Sequence, residues 1–114
     1  MTGLTVARRT DGDIGFISLK GEARLEVIHR LDDAAQKSRD EGAKHILMDC
    51  SRLAFMDSAS AGSFIRLEKE LTRSGGKLVL YAVPKVIHRL FDAAGLLDRF
   101  KTAADEASAR SLVV

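Results

Sequence analysis

Asp57-Ser58-Ala59-Ser60 places one carboxylate and two hydroxyls directly ahead of Ala61, Phe64, Leu67 and Leu71, an apolar series at helical spacing. Such a segment falls where a helix begins. The first turn there has N–H groups without intrahelical partners, and the helix dipole is positive. Two kinds of chemistry fit. Asp and Ser are preferred helix caps, accepting bonds from those N–H groups. A serine hydroxyl is also a candidate for phosphorylation, because the same N–H groups stabilise a phosphate. On this reading Asp57 or Ser58 caps the helix, Ser58 lies ahead of the helical ladder, and Ser60 falls within the first turn. That order favours Ser58 over Ser60, since a kinase needs an extended hydroxyl.

Other groups offer less chemistry. His29, His45 and His88 lie far apart and no His or Cys stands at metal-ligand spacing, so neither a metal nor a cofactor is expected. All three histidines read as surface or boundary residues. Cys50, the single cysteine, cannot form an internal disulfide and reads as a small buried hydrophobe rather than a nucleophile. Gly75-Gly76 follows a helical pattern and precedes a strand, the reverse of the phosphate-loop order, so it reads as a helix stop. No carboxylate pair suggests acid–base catalysis. Nothing in these residues suggests an enzyme.

Composition supports that direction. The 114 residues, 46% hydrophobic and 30% charged, suit one domain with its own core. The 18 Lys and Arg against 16 Asp and Glu leave a net charge of +2, too balanced for a dedicated nucleic-acid or anionic-membrane binder. The first residues lack an apolar signal core, and no apolar run approaches the ~18–20 residues of a membrane span. A cytoplasmic protein is expected, with no membrane insertion.

The elements that must position the Asp57 segment follow from the apolar pattern. Leu4 and Val6, then Ile14, Phe16 and Leu19, flank Thr10-Asp11-Gly12-Asp13 and predict an opening β-hairpin that closes at Gly21-Glu22. Leu25, Ile28, Leu31 and Ala35 predict a helix starting near Leu25 and stopped by Gly42. His45-Ile46-Leu47-Met48 reads as a buried strand, and Asp49 to Met56 as a link to the second helix. Lys77 to Tyr81 predicts another buried strand. Pro84 stands at a first-turn position, and a third helix runs through Val86, Ile87, Leu90, Phe91 and Ala94 to Gly95. Leu96 to Lys101 reads as a last short strand or its approach. Strands alternating with helices predict an α/β fold with a mainly parallel, mixed sheet of four to five strands and about four helices. The whole chain, 1–114, reads as one domain, with a core over about 4–100 and a C-terminal helix over about 103–111.

These segments resemble the STAS domain, specifically the anti-sigma-factor antagonist family. The resemblance is carried by Gly12-Asp13-Ile14 through Gly21-Glu22, by Asp49-Cys50-Ser51-Arg52-Leu53-Ala54-Phe55-Met56-Asp57-Ser58, by Gly75-Gly76-Lys77-Leu78-Val79-Leu80, and by Leu90 through Phe100. It implies a domain without catalysis that binds an anti-sigma factor with serine kinase activity and so frees the sigma factor. The kinase phosphorylates a Ser or Thr in the pattern Asp-Ser-[Ser/Thr]-Gly-Leu-Gly, which breaks the complex. Here Asp57-Ser58-Ala59-Ser60-Ala61-Gly62 has Ala59 at the usual acceptor position. After Gly21-Glu22 the family has an apolar residue and then Asp, where this chain has Ala23-Arg24.

Two expectations follow. Ser58 or Ser60 takes the phosphate in a shifted register with Arg24 near it, or the switch is lost and the chain is a phosphorylation-independent scaffold or transporter subunit. In either case a partner is expected to dock around Phe55, Met56, Asp57, Ser58, Ala59, Ser60, Ala61 and Ser63. A receiver domain phosphorylated on Asp49 is the rival from another class. It lacks the acidic pair such a domain needs for Mg²⁺, because Asp32-Asp33 fall within a helix pattern. Composition and motifs leave the oligomeric state open.

Overall fold

Residues 3–114 are described by the computed structural model. The chain opens as predicted, with β1 (Leu4–Asp11) paired antiparallel to β2 (Ile14–Ala23) from Leu4↔Gly21 to Asp11↔Ile14. Gly12 takes φ +61° in the two-residue turn, the first-position glycine that a tight hairpin requires. There follow α1 (His29–Asp40), β3 (His45–Met56), α2 (Ser58–Arg73), β4 (Leu78–Tyr81), α3 (Lys85–Ala93), β5 (Lys101–Ala103) and α4 (Glu106–Ser111). The strands form one five-stranded sheet in the order β1-β2-β3-β4-β5, parallel from β2 onward. An α/β fold with a mixed sheet and four helices is the result.

The sheet is covered on both faces. One face packs Ile17, Leu19, Ile46, Met48 and Leu80 against Leu31 of α1, Phe64 of α2 and Ile87 of α3. The other buries Phe16, Leu47, Val79 and Tyr81 under Ala109 of α4. Cys50 lies in the first core, and burial pushes its thiol up to about 12, so it is a packed hydrophobe. The Gly75-Gly76 pair ends α2 with Gly76 N–H bonded to Leu71 C=O at 2.7 Å and Gly75 N–H to Thr72 C=O at 3.0 Å. These two bonds satisfy orphan carbonyls, and the φ of +82° at Gly75 makes glycine the fitting residue.

Five boundaries differ from the sequence reading, one of them the C-terminal helix, which begins at Glu106 rather than near 103 because Ala103 still pairs in β5. Asp49 to Met56 is not a link: β3 continues through it to Met56. Beyond Asp49 only β2 pairs with β3, since β4 ends its register at Tyr81↔Asp49. Two register shifts against β2, each with its extra residue in β3 (Ser18↔Asp49 to Lys20↔Arg52, and Gly21↔Leu53 to Glu22↔Phe55), further break the alternation that marks a strand. The first helix begins at His29, because Val27 and Ile28 N–H both bond Arg24 C=O in a separate turn that leaves Leu25 exposed. Pro84 stands one residue outside α3, as its cap. Leu96 to Phe100 is a turn that buries Phe100, and the last strand is only Lys101–Ala103.

His45 is buried rather than peripheral, and its Nδ1 accepts the Lys77 N–H at 3.1 Å. Burial holds its imidazole below the usual histidine range. The neutral ring is thus the form the fold accommodates. Stability from this site is fully present above the unfolded value of ~6.5 and declines as the pH falls below it. Thermal unfolding followed from pH 8 to 5 should show that decline, and His45→Gln should flatten it. An unchanged slope in the variant would remove His45 from the cause.

Candidate partner-docking site

Asp57 is the joint on which the site is built. β3 runs in register with β2 as far as Met56↔Ala23, and Asp57 N–H then bonds Ala23 C=O at 3.0 Å. The sheet thereby sets the start of α2 beside the turn after β2. The Asp57 carboxylate holds both: Oδ1 accepts the Ser60 N–H at 2.9 Å, and Oδ2 accepts the Leu25 N–H at 2.9 Å. Partial burial pulls this carboxyl upward. The Ser60 and Leu25 N–H groups and the nearby Arg24 charge outweigh that pull and leave it below the ordinary Asp value. Asp57, not Ser58, is therefore the cap, and Ser58 is the first helical residue rather than one ahead of the helix.

The expected docking residues divide by exposure. Ser58 and Ala59 are exposed, and Phe55 and Asp57 are half-buried. Met56, Ser60, Ala61 and Ser63 are buried, with Ser60 at 0% exposure, so they shape the site from below. Arg24 is exposed and comes to the same place: its guanidinium lies 4.4 Å above the Phe55 ring and bonds Glu22 at 2.8 Å. The structure thus brings Arg24, Phe55, Asp57, Ser58 and Ala59 together on one surface.

Two parts of this surface were not expected. Leu25, read as the first core position of a helix, is 65% exposed next to Arg24. A groove of about 250 Å³ also runs between the start of α2 and the end of α3, lined by Met56, Ser58 and Ala61 and, opposite, by Leu90, Phe91 and Leu96. In the sequence Leu90 appears only as a member of an apolar stripe, and Leu96 only as the start of the last short strand or its approach. Their partial exposure depends on how α3 lies against α2, which no local pattern records.

Among the described residues no group of three or more His, Cys, Asp or Glu side chains could hold a metal ion. Asp49, the rival phosphoacceptor, sits within β3 with its carboxylate accepting the Ser51 N–H at 2.9 Å. No helix among the described residues is long and apolar enough to cross a membrane.

Comparison with known proteins places this architecture. Residues 5–109 match the family model described as STAS domain. The anti-sigma-B factor antagonist of Staphylococcus epidermidis is 27% identical over 95 residues, spanning 83% of this chain and 88% of that protein. The crystal structure of an anti-sigma factor antagonist from Mycobacterium paratuberculosis superposes with a TM-score of 0.83 at 17% identity, covering 97% of this chain and 94% of that one. The Bacillus cell fate determinant SpoIIAA in its phosphorylated form gives a TM-score of 0.71 at 19% identity, covering 96% and 99%. At these identities the two structures establish the fold alone.

Proposed function

The chain belongs to the STAS domain family, and from that premise we propose that it is an anti-sigma-factor antagonist: it binds an anti-sigma factor through the start of α2 and releases a sigma factor. Its curated relatives are named as regulatory antagonists rather than as enzymes. The observation that carries the reading is the joint at Asp57, which fixes an exposed hydroxyl, an exposed leucine and an apolar groove on one surface. Such a surface offers contact area and directed hydrogen bonds at a rigid helix end.

Regulation by a serine kinase partner belongs to the same proposal. Ser58 is the acceptor we assign, because it is exposed whereas Ser60 is wholly buried. Ala59 removes a hydroxyl at the position the family pattern uses, yet leaves the helix end and its free N–H groups intact. A phosphate on Ser58 would add about −1.5 to −2 charges at the rim of the apolar groove, which opposes docking of an apolar or acidic surface.

The test is direct. Serine-kinase anti-sigma factors encoded in the same genome are purified and titrated with the chain by calorimetry. Each is then incubated with the chain and ATP, and the peptide between Arg52 and Arg66 is analysed by mass spectrometry. Binding by one of them, with phosphate on Ser58, is the expected result. Binding without phosphate would keep the antagonist and reject the switch, and absence of binding by all would reject both.

Leu25 supplies a sharper probe of the surface. Because its side chain is mostly in water, Leu25→Ala should change stability by less than about 0.5 kcal/mol. The same change should weaken binding of the anti-sigma factor by about 1–2 kcal/mol if the leucine is covered in the complex. Urea denaturation and calorimetry of the one variant measure both quantities. Unchanged affinity would place the interface away from the turn after β2.

A further inference from the structure

The two faces of the sheet are covered unequally. α1, α2 and α3 pack on one face, whereas among the described residues the other has only α4, six residues long with Ala109 its one buried residue. A helix that short does not hold itself together. The strand that delivers it, β5, is an edge strand of three residues, none of them buried. What fastens the segment is mostly polar and open to solvent. Glu106 pairs with Arg9 at 3.5 Å and with Arg110 at 3.2 Å, Arg110 reaches Asp11 at 3.9 Å, and Lys77 Nζ donates to the Leu112 C=O at 3.0 Å. Both guanidiniums also lie by the Phe16 ring, at 3.9 and 4.6 Å from its centre. Exposed ion pairs contribute little each.

One backbone feature works against the segment. Ala82 follows β4 with φ +52°, the one non-glycine among the described residues in the left-handed region. Its N–H donates to the Ala103 C=O at 3.1 Å, so the docking of β5 and the strained backbone go together. An alanine is disfavoured there and regains an ordinary backbone when β5 lets go. The chain ahead of β5 stays behind, because Phe100 is buried against Phe64 at 6.2 Å and Phe91 at 5.4 Å.

We infer that residues 101–114 form a flap, hinged behind Phe100 and strained at Ala82 when shut, which opens as a unit while the rest of the domain stays folded. Opening uncovers Phe16, Leu47, Val79 and Tyr81, a second apolar face on the side of the sheet away from α1, α2 and α3. Few apolar contacts and mostly exposed bonds oppose it, which sets its opening at the low end of the stabilities within the molecule. Salt weakens the ionic fasteners and favours the open form. Access to the second face is thereby gated by a strained backbone and a salt-sensitive clasp. The flap stands apart from the antagonist reading, since none of its residues lines the groove beside Ser58.

Two measurements on the full chain test the flap. In the first, native-state hydrogen exchange is followed by NMR. The amides of Ala82 and Ala109 should exchange through one common opening, about tenfold or more faster than those of Met48 and Phe64, with a weak dependence on urea. Ala82→Gly relieves the strain and should slow exchange at Ala109 about fivefold, while Arg110→Gln, or molar salt with the wild-type chain, should speed it. Exchange at Ala82 as slow as in the core would reduce the motion to fraying of α4 and overturn the proposal, as would no response of Ala109 to Ala82→Gly. In the second, the thiol introduced by Val79→Cys is labelled under native conditions, with Cys50 in the opposite core as the internal reference. It should react about tenfold or more faster than Cys50, and adding Ala82→Gly should slow it. Equal rates for the two thiols would mean that only global unfolding uncovers this face, and would reject the flap.

Discussion

Replacing Phe64 by Ala is expected to lower the unfolding free energy by about 3–5 kcal/mol, enough to consume a large part of the stability of a domain this size. Phe64 is fully buried, and it is the point where α2 meets the rest of the fold. Its ring lies edge-on to Phe91 of α3 at 6.4 Å and to Phe100 at 6.2 Å, and those two rings are 5.4 Å apart. Truncation removes the transfer free energy of the ring and two aromatic pairs of about 0.5–1.5 kcal/mol each, and leaves a cavity the sheet cannot collapse into. The same contact seats the start of α2 against the end of α3, so the groove beside Ser58 should loosen too. Urea denaturation gives the number. A loss below about 1 kcal/mol would mean that the three rings do not form the cluster described, and Phe64→Leu should recover much of the lost stability.

The second large effect separates binding from folding. Ser58→Glu should weaken the anti-sigma-factor complex by about 1–3 kcal/mol, roughly fivefold to 150-fold, through a desolvated charge at the groove rim. It should not harm the fold. Position 58 is the first residue of α2, where a carboxylate meets the positive end of the dipole and adds about 0.3–1 kcal/mol of stability. A higher melting temperature together with weaker binding is therefore the expected signature. Weaker binding with a lower melting temperature would attribute the loss to unfolding, and unchanged affinity would move the interface away from Ser58.

The sequence made the architecture legible wherever an element buries one face by a local rule. The hairpin at Gly12, the stop at Gly75-Gly76 and the continuous apolar run Ile46-Leu47-Met48 each carry their own signal, and each stands in the fold as read. Legibility failed where tertiary pairing decides. β3 past Asp49 has a neighbour on one side only, so its polar residues made a strand resemble a link. Leu25 has the spacing of a core residue but belongs to a turn drawn toward Asp57, 32 positions away in the chain. The candidate site was legible as a location, since Asp57 and the serines announce a helix start. Its working surface was not: whether Ser58 or Ser60 faces solvent depends on where α2 rests on the sheet, and the groove exists only between two helices distant in sequence.

The central claim is that this domain displaces a sigma factor by occupying its anti-sigma factor, and release of the sigma factor measures that most directly. Each sigma–anti-sigma pair of the same genome is assembled with a fluorescently labelled sigma factor, and anisotropy is followed as the chain is added. One pair should lose its sigma factor with near-stoichiometric wild-type chain, while the Ser58→Glu variant should leave the same pair intact over that range. Retention of every sigma factor in the presence of excess wild-type chain, or equal release by Ser58→Glu, would contradict the account.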